Sequence, residues 1–235
     1  MSKYSNESRF VNAVDCLIFG FDGEAVKILL IHRGFEPEKG KWSLVGGFAR
    51  AEESLEQASN RILKQLTGLD DVYLEQLHTF SEPNRDPCER TISTSFFALI
   101  DINKYERQIS HNYKPEWFPL KRIPKLIFDQ QEMVEMAKTR IRYKAALHPI
   151  LFELLPPRFT LPQLQNLYES VYNTTIDKRN FSKRILATGL LVKQEAKDKN
   201  GSKRGAYYYQ LNMQNYYAKF QAFLNFIPNP TNLIF

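Results

Sequence analysis

The chain has 235 residues, of which 43% are hydrophobic and 25% are charged, and its formal net charge is +6. At roughly 100 to 200 residues per domain, this length fits one large domain or two small ones, and the composition excludes disorder, collagen and coiled coils. No segment approaches the roughly 20 consecutive apolar residues of a membrane helix, and the N-terminus lacks the apolar stretch of a signal peptide. We therefore expect a soluble, cytoplasmic protein without membrane association. Its two cysteines have neither the number nor the spacing of a disulfide framework or a zinc site.

The charge is distributed unevenly along the chain. Residues 1–155 contain 21 Lys+Arg and 22 Asp+Glu, a net charge of −1, whereas residues 156–235 contain 11 and 4, a net charge of +7. A basic segment joined to a nearly neutral one predicts two domains, 1–155 and 156–235, of which the second contacts a polyanion. The alternative is that the cationic segment only aids solubility.

The first segment shows the pattern of a mixed α/β domain. Apolar runs predict strands at residues 10–21, 25–31, 72–80, 91–100 and 116–120, the first two forming a hairpin around Asp22-Gly23. Helical spacing predicts a helix at 54–66, with Ser54 as its cap and Gly68 as its stop. A second helical pattern runs from 129 to 155, interrupted at His148-Pro149, and leads out of this domain.

The second segment has the element order of a winged helix-turn-helix domain. An amphipathic helix is predicted at residues 161–172 and a second helix at 177–189. Two strands, 190–195 and 206–211, flank a turn that contains the hairpin signal Asn200-Gly201. Alternate members of the Tyr207-Tyr208-Tyr209 run are expected to pack inward.

Residues 47–69, which read GFARAEESLEQASNRILKQLTGL, resemble the Nudix box, a loop–helix–loop motif. The positions that match the family pattern at the required spacing are Gly47, Glu53, Arg61, Leu63, Gly68 and Leu69. The resemblance implies an α+β fold of the Nudix type, a mixed α/β/α sandwich, in which Arg61 bonds Glu53 across the motif. With the second segment, the predicted architecture is a Nudix-like sandwich followed by a C-terminal winged helix-turn-helix domain.

The departures from this pattern fall on the metal-binding positions. Where the family's hydrolases carry three glutamates, this chain has Ile62, Gln65 and Leu66, which share one helical face. Magnesium requires hard oxygen ligands in octahedral geometry. Two apolar side chains and one neutral amide do not provide them. The sequence therefore predicts no metal site, no cofactor and no enzymatic activity, so that catalytic residues are not expected.

Two further stretches resemble segments of the Nudix-related transcriptional regulators, which combine a Nudix-like domain with a DNA-binding winged helix. They are residues 42–47, WSLVGG, and residues 73–80, YLEQLHTF, followed by Asn84-Arg85-Asp86-Pro87. The resemblance covers nearly the whole chain and implies that the first domain senses a small polar ligand. The candidate effector-binding residues are Arg33, Trp42, Arg50, Glu75, Glu82, Arg85 and Asp86. The alternative is a vestigial Nudix domain that serves only as a dimerisation scaffold.

The second helix of the basic segment separates an apolar face from a cationic one. Phe181 and Ile185 are expected to face the core, while Arg179 and Lys183, at i and i+4, point away from it. Such a helix fits the major groove of double-stranded DNA, and a basic hairpin beside it complements the backbone. The candidate DNA-binding residues are Lys178, Arg179, Asn180, Ser182, Lys183, Arg184, Lys197, Lys199, Lys203 and Arg204.

These observations favour a ligand-responsive repressor that binds a two-fold operator as a homodimer. Two effectors compete. Without the magnesium-binding glutamates there is no metal ion to neutralise a diphosphate, which would then need extra cationic groups around Arg50 and Arg85. This favours a sugar such as L-arabinose and control of sugar utilisation and carbohydrate metabolism. The alternative effector is ADP-ribose, with control of NAD metabolism. Two other hypotheses remain open: an active Nudix pyrophosphohydrolase with an appended nucleic-acid-binding domain, and a winged helix that binds RNA or a protein.

Overall fold

The computed structural model describes residues 6–110, 113–199 and 205–224. Within these residues, seven strands of the first domain form one sheet. They are β1 (Val11–Phe21), β2 (Val26–His32), β3 (Trp42–Ser43), β4 (Val45–Phe48), β5 (Glu75–Phe80), β6 (Thr91–Asp101) and β7 (Glu116–Pro119). The central path is β3-β2-β1-β6-β5, with β4 also pairing to β1 and β7 to β2. Strand β1 runs parallel to β6 and antiparallel to β2 and β4.

Three α-helices accompany this sheet in the described part of the first domain: α1 (Leu55–Thr67), α2 (Ile102–Tyr105) and α3 (Gln130–Leu147). Helix α1 confirms its predicted signals. Ser54 caps it in a reciprocal capping box with Gln57, and Gly68 ends it in the left-handed conformation with φ of 80°.

Two apolar cores cover the two faces of the sheet. Along β1, Cys16 and Ile18 belong to the core beneath α1, while Leu17 and Phe19 belong to the core beneath α3. Because successive side chains of a strand point to opposite faces, a strand covered on both sides is apolar throughout instead of alternating with polar residues. The α/β/α sandwich predicted from the sequence is confirmed.

The second domain contains β8 (Phe159–Thr160), α4 (Leu161–Tyr172), α5 (Lys178–Ala187), β9 (Leu191–Asp198), β10 (Ala206–Leu211) and α6 (Met213–Leu224). Its strands form a small sheet in the order β8-β10-β9. Leu164 and Leu167 of α4 are fully buried, and Phe181 of α5 packs with Tyr209 of β10 in the same core. Two helices followed by a hairpin confirm the winged helix.

A short linker joins the two domains without a gap in the apolar core. Helix α3 ends at Leu147, the predicted interruption at His148-Pro149 follows, and a 3-10 turn spans Ile150–Leu154. Leu151 and Leu154 are completely buried in the core that contains side chains of both domains. The split predicted at Leu155 is therefore not marked by a break in packing.

Several elements differ from the sequence prediction. Strands β3 and β4 are separated at Leu44, because β3 pairs with β2 while β4 crosses over to pair with β1. Two and four residues are too few for a periodic pattern, so the sequence did not indicate these strands. Helix α6 was also missed, and β5 begins at Glu75 instead of residue 72. No helix in the described part of the chain is long and apolar enough to cross a membrane.

Candidate functional site

A cleft of about 360 Å³ opens beside the point where β4 crosses to β1. Its walls come from the end of β2 and the loop that follows, from β4, and from the outward face of α1. Among its lining residues are Arg33, Phe35, Phe48, Arg50 and Leu66. A recess of about 40 Å³ shares Arg33, Phe35 and Phe48 with the cleft. This floor recess reaches inward to β1 and the start of α3.

Aromatic and cationic side chains lie together at the mouth of the cleft. The Arg33 guanidinium carbon is 4.1 Å from the ring centre of Phe35 and 5.2 Å from that of Phe128. Phe35 and Phe48 are 47% and 45% exposed, and their ring centres are 6.2 Å apart. Exposed rings beside guanidinium groups suit a ligand that has both a flat apolar part and a negative charge.

One ion pair joins two of the positions that match the Nudix box, Arg61 and Glu53. Arg61 donates to Glu53 from Nε at 2.8 Å and from Nη2 at 2.5 Å, and Nη2 also donates to the Phe48 carbonyl at 3.0 Å. The Glu53 carboxylate accepts a further bond from the Arg50 amide at 2.8 Å. The Arg61 hydrogen bond is the main cause that lowers the pKa of Glu53 to about 2. Glu53 therefore holds the loop against α1, as the resemblance implied.

The residues at the metal-binding positions do not fit a magnesium ion. Ile62 is 3% exposed and lies directly beneath Gly47, where an added Cβ would approach its Cδ1 to 3.0 Å. Gln65 and Leu66 line the cleft beside it. Of these three side chains only the Gln65 amide carries an oxygen, and magnesium prefers charged, octahedral oxygen ligands. Glu53, the one carboxylate among the six matched positions, is paired with Arg61.

A buried polar cluster forms the floor recess. The Asp15 carboxylate, 6% exposed, accepts hydrogen bonds from Ser93 Oγ at 2.6 Å and Gln130 Nε2 at 2.9 Å. Arg85 forms a two-bond pair with Asp129 at 2.7 and 2.8 Å, and its Nη2 lies 4.0 Å from Asp15. Burial raises the pKa of Asp15, while the Ser93 hydrogen bond and Arg85 oppose that shift. These groups fix the start of α3 to β1.

Four of the seven predicted effector residues line the cleft or its floor. Arg33 and Arg50 line the cleft, and Arg85 and Asp86 line the floor recess, although the Arg85 guanidinium is engaged by Asp129. Trp42 of β3 instead lines a separate cavity of about 690 Å³, and its ring centre is 3.9 Å from that of His32.

The other two predicted residues lie elsewhere. Glu75 pairs with Lys144 of α3, and Glu82 is exposed; neither is among the described residues that line the cleft or the floor recess. Phe35, Phe48, Asp15 and Gln130 were not indicated by the sequence. Phe48 ends the glycine-containing strand β4 and Phe35 lies in the loop after β2, so their aromatic character near the box was a local signal. Asp15 and Gln130 are 115 residues apart and gave no such signal.

Helix α5 presents its cations to solvent. The described surface exposes Lys178, Arg179, Asn180, Lys183 and Arg184, with Ser182 half-buried. On the opposite side, Phe181 is buried with its ring 5.7 Å from that of Tyr168 in α4. Among the described residues, no carboxylate forms an ion pair with any of these cations. The predicted separation of faces is confirmed.

The wing, formed by the β9–β10 hairpin, contains one cation that the sequence did not indicate, Lys193. The Lys193 and Lys197 ammonium groups lie 3.6 and 4.3 Å from the ring centre of Tyr207. An irregularity in the β9–β10 register falls between Tyr207 and Tyr209. Tyr207 is 37% exposed, whereas Tyr209 is buried. Simple alternation would have placed both rings on one face.

Of the remaining predicted wing residues, one lies within the described chain. Lys199 is exposed at the end of β9. Lys203, Arg204 and the turn at Asn200-Gly201 lie outside the described residues. Their predicted contact with DNA stays a prediction.

Comparison with known proteins covers both domains. The NUDIX domain family matches residues 9–138, and the NrtR DNA-binding winged helix domain family matches residues 151–211. The chain is 34% identical over 217 residues to the ADPR responsive transcriptional repressor NtrR of Acinetobacter baylyi, covering 91% of this chain and 86% of that protein.

Two solved structures resemble the chain in the same way. Shewanella oneidensis NrtR complexed with a 27mer DNA is 29% identical with a TM-score of 0.70, over 87% of this chain and 95% of that chain. The NUDIX domain of Shewanella oneidensis NrtR complexed with ADP ribose is 28% identical with a TM-score of 0.51, over 60% of this chain and 99% of that chain. Since both domains match in the same order along the chain, this protein belongs to the NrtR family of DNA-binding transcriptional regulators, which join a Nudix domain to a winged helix.

Proposed function

We propose that this chain is a transcriptional repressor that holds operator DNA with its winged helix and releases it when ADP-ribose occupies the cleft. The observation that carries the proposal is the cleft itself, which joins Arg33, Arg50 and two exposed aromatic rings on a Nudix fold; its third arginine, Arg61, is paired with Glu53. The relative from Acinetobacter baylyi is named as responsive to ADPR, and the Shewanella oneidensis NUDIX domain is complexed with ADP ribose.

The chemistry of ADP-ribose matches the groups of the cleft. A diphosphate carries negative charge that Arg33 and Arg50 can neutralise without a metal ion. A purine presents a flat face that stacks on an aromatic ring such as Phe35 or Phe48. The preference for a sugar rested on a lack of positive charge to neutralise a diphosphate, and two arginines that line the same cleft, Arg33 and Arg50, remove that objection. None of the relatives described above is named for L-arabinose or another free sugar, so that effector gains no support.

We propose that binding proceeds without turnover. In place of the metal-binding glutamates stand Ile62, Gln65 and Leu66, and Glu53 is held by Arg61. A hydrolase needs a group that activates water. Ile62 and Leu66 carry no polar atom, the Gln65 amide is not a base, and the Glu53 carboxylate is engaged by Arg61. The domain then acts as a sensor, and the cytoplasmic location expected from the sequence stays a prediction.

Calorimetric titration in EDTA tests the effector. ADP-ribose is expected to bind and L-arabinose to produce no heat of binding. Arg50→Gln is expected to weaken ADP-ribose binding about tenfold by removing one charge-assisted contact. The exposed Lys39 carries the same charge but lies outside the described lining of the cleft, so Lys39→Gln serves as the matched control. Binding of L-arabinose alone would overturn the proposed effector.

Chromatography of ADP-ribose incubated with the protein and magnesium tests the absence of turnover. The nucleotide is expected to stay intact. Release of AMP and ribose 5-phosphate, abolished in Glu53→Gln, would instead establish the hydrolase alternative.

A mobility shift with the chain's own upstream DNA tests the output. DNA is expected to shift, RNA to compete poorly, and ADP-ribose to reverse the shift. Because a single winged helix covers only a short site, we propose a homodimer on a two-fold operator. Sedimentation at micromolar concentration should give twice the mass of the chain, and a monomer there would contradict the dimer.

A further inference from the structure

Helix α3 extends from the floor of the cleft to the winged helix. Its 18 residues, Gln130–Leu147, correspond to a length of about 27 Å at 1.5 Å per residue. Its first residue lines the floor recess, while its later turns pack against α4. One element therefore touches both the candidate effector site and the DNA-binding domain.

At the cleft end, Gln130 joins α3 to two strands. Its side chain is 4% exposed, donates to Asp15 of β1 at 2.9 Å and accepts from the Leu44 amide at 2.9 Å. Leu44 is the residue at which the chain crosses from β3 to β4, so Gln130 holds the base of the cleft wall. Beside it, Asp129 is fixed by Arg85. The first turn of α3 is therefore tied by hydrogen bonds to β1, to Leu44 and to Arg85.

At the opposite end, Arg142 joins α3 to α4. Its Nε donates to the Val171 carbonyl at 2.8 Å, and its own carbonyl accepts from the Tyr172 hydroxyl at 3.2 Å. Helix α4 in turn packs on α5 through Tyr168 and Phe181, whose ring centres are 5.7 Å apart. Helix α3 is thereby connected through α4 to α5, the helix that carries the candidate DNA-binding cations.

A second contact between the domains lies away from the cleft. The Val26 amide donates to Ser170 Oγ at 2.8 Å, and Asn166 Nδ2 donates to the Gly23 carbonyl at 3.2 Å. These residues of the β1–β2 hairpin are absent from the described lining of the cleft and the floor recess. The hairpin thus gives α4 a point of support that is independent of ligand contacts.

We propose that Gln130 and Arg142 are positioning residues that couple the cleft to the DNA-binding domain. A ligand that prefers one position of the Asp15–Gln130–Arg85 cluster shifts α3, and α3 moves α4 about its hairpin contact. Such coupling requires two states with different affinities for each ligand. This inference rests on the proposed function, since it takes ADP-ribose as the effector and DNA as the output.

The test measures the DNA Kd by fluorescence anisotropy without and with saturating ADP-ribose, and the ADP-ribose Kd by calorimetry. Arg142→Met keeps the aliphatic stem but removes the bond to Val171. Each affinity measured alone is expected to stay close to wild type, while the ratio of the two DNA Kd values falls by about threefold or more. Arg140→Met is the matched control, because that guanidinium bonds the Leu77 carbonyl within the Nudix domain at 3.4 Å; its ratio should stay at the wild-type value.

Two further variants remove one hydrogen bond each between the domains. Tyr172→Phe removes only one hydroxyl bond to Arg142, and it should lower the same ratio even if Arg142→Met folds poorly. Ser170→Ala tests the other route. If Ser170→Ala lowers the ratio and the Arg142 and Tyr172 variants leave it unchanged, coupling runs through the hairpin and the proposal is wrong. A wild-type protein whose DNA affinity ignores ADP-ribose would instead remove the proposed function, and the inference with it.

Discussion

The two domains use the same charged residue types in opposite ways. In the Nudix domain, Arg61 is paired with Glu53 and Arg85 with Asp129. On α5 of the winged helix, exposed cations have no carboxylate partner within the described residues. Paired charges hold loops and helices in place, whereas unpaired charges stay available to a polyanion. The contrast teaches that pairing, more than charge itself, separates the structural cations from those predicted to bind DNA in this protein.

This difference has an energetic consequence. A buried or bidentate pair is little affected by salt, because its partner is fixed at short range. A cation that binds DNA replaces a condensed counterion, so its contribution falls as the salt concentration rises. Salt titration therefore distinguishes the two classes of charge.

The largest expected effect comes from removing two unpaired charges. Arg179→Ala combined with Lys183→Ala should weaken operator binding about a hundredfold, since each such contact contributes roughly 1 to 3 kcal/mol. ADP-ribose binding should not change. Anisotropy with labelled operator measures the DNA affinity, and Lys104→Ala, an exposed cation of the Nudix domain, is the control. DNA affinity that survives the double substitution would break the contrast between the domains.

A second effect tests the structural role of the box. Gly68 has φ of +80°, and an added Cβ would lie 2.2 Å from the Gln108 carbonyl oxygen. Gly40 has φ of +78° with nothing within 4 Å. Gly68→Ala should lower the free energy of unfolding by about 2 kcal/mol or more, and Gly40→Ala by about 1 kcal/mol, the cost of the left-handed backbone alone. Urea unfolding compares them, and equal losses would mean that the helix end tolerates the clash.

A smaller effect is expected on the wing. Lys193→Gln should weaken DNA binding about fourfold and reduce the slope of log Kd against log salt by about 0.9, the loss of one phosphate contact. Lys197→Gln, which removes the other ammonium group over the Tyr207 ring, should weaken DNA binding and reduce the slope to the same extent. Lys138→Gln provides the control for a paired lysine, since Lys138 bonds Glu135 at 2.8 Å. An unchanged slope for Lys193→Gln would assign the lysine–tyrosine cluster to folding alone.

The smallest effect concerns pH. Glu53 has its pKa lowered from 4.5 to about 2 in the folded protein, chiefly by Arg61. Because the pKa of Glu53 is lower in the folded than in the unfolded protein, its carboxylate stabilises the folded state above about pH 4.5. That stabilisation is lost as the pH falls from about 4.5 towards about 2. The difference in unfolding free energy between wild type and Glu53→Gln should therefore shrink across this window. Urea unfolding at a series of pH values measures this difference, and a difference that stays constant across the window would contradict the role of the pair.

Elements with strong local signals were predictable from the sequence. The Ser54 cap and Gly68 stop of α1 lie where the pattern placed them, because both act through the nearest backbone groups. Strands β3 and β4 were not predictable, since their short lengths follow from pairing with distant strands. In the cleft, Arg33 and Arg50 were expected, but the floor formed by Asp15 and Gln130 was not, because it joins residues 115 apart in the chain.

The sequence by itself determined the order of the two domains, the loss of metal-binding side chains from the box and the position of the basic charge. These properties depend on residue identity and local spacing. Only the tertiary structure decided which charges are available. Arg33 and Arg85 look equivalent along the chain, yet folding brings Asp129, 44 residues away, against Arg85 and leaves Arg33 between two aromatic rings. An ion pair depends on distance in space, which is set only when β1, β4 and α3 pack together.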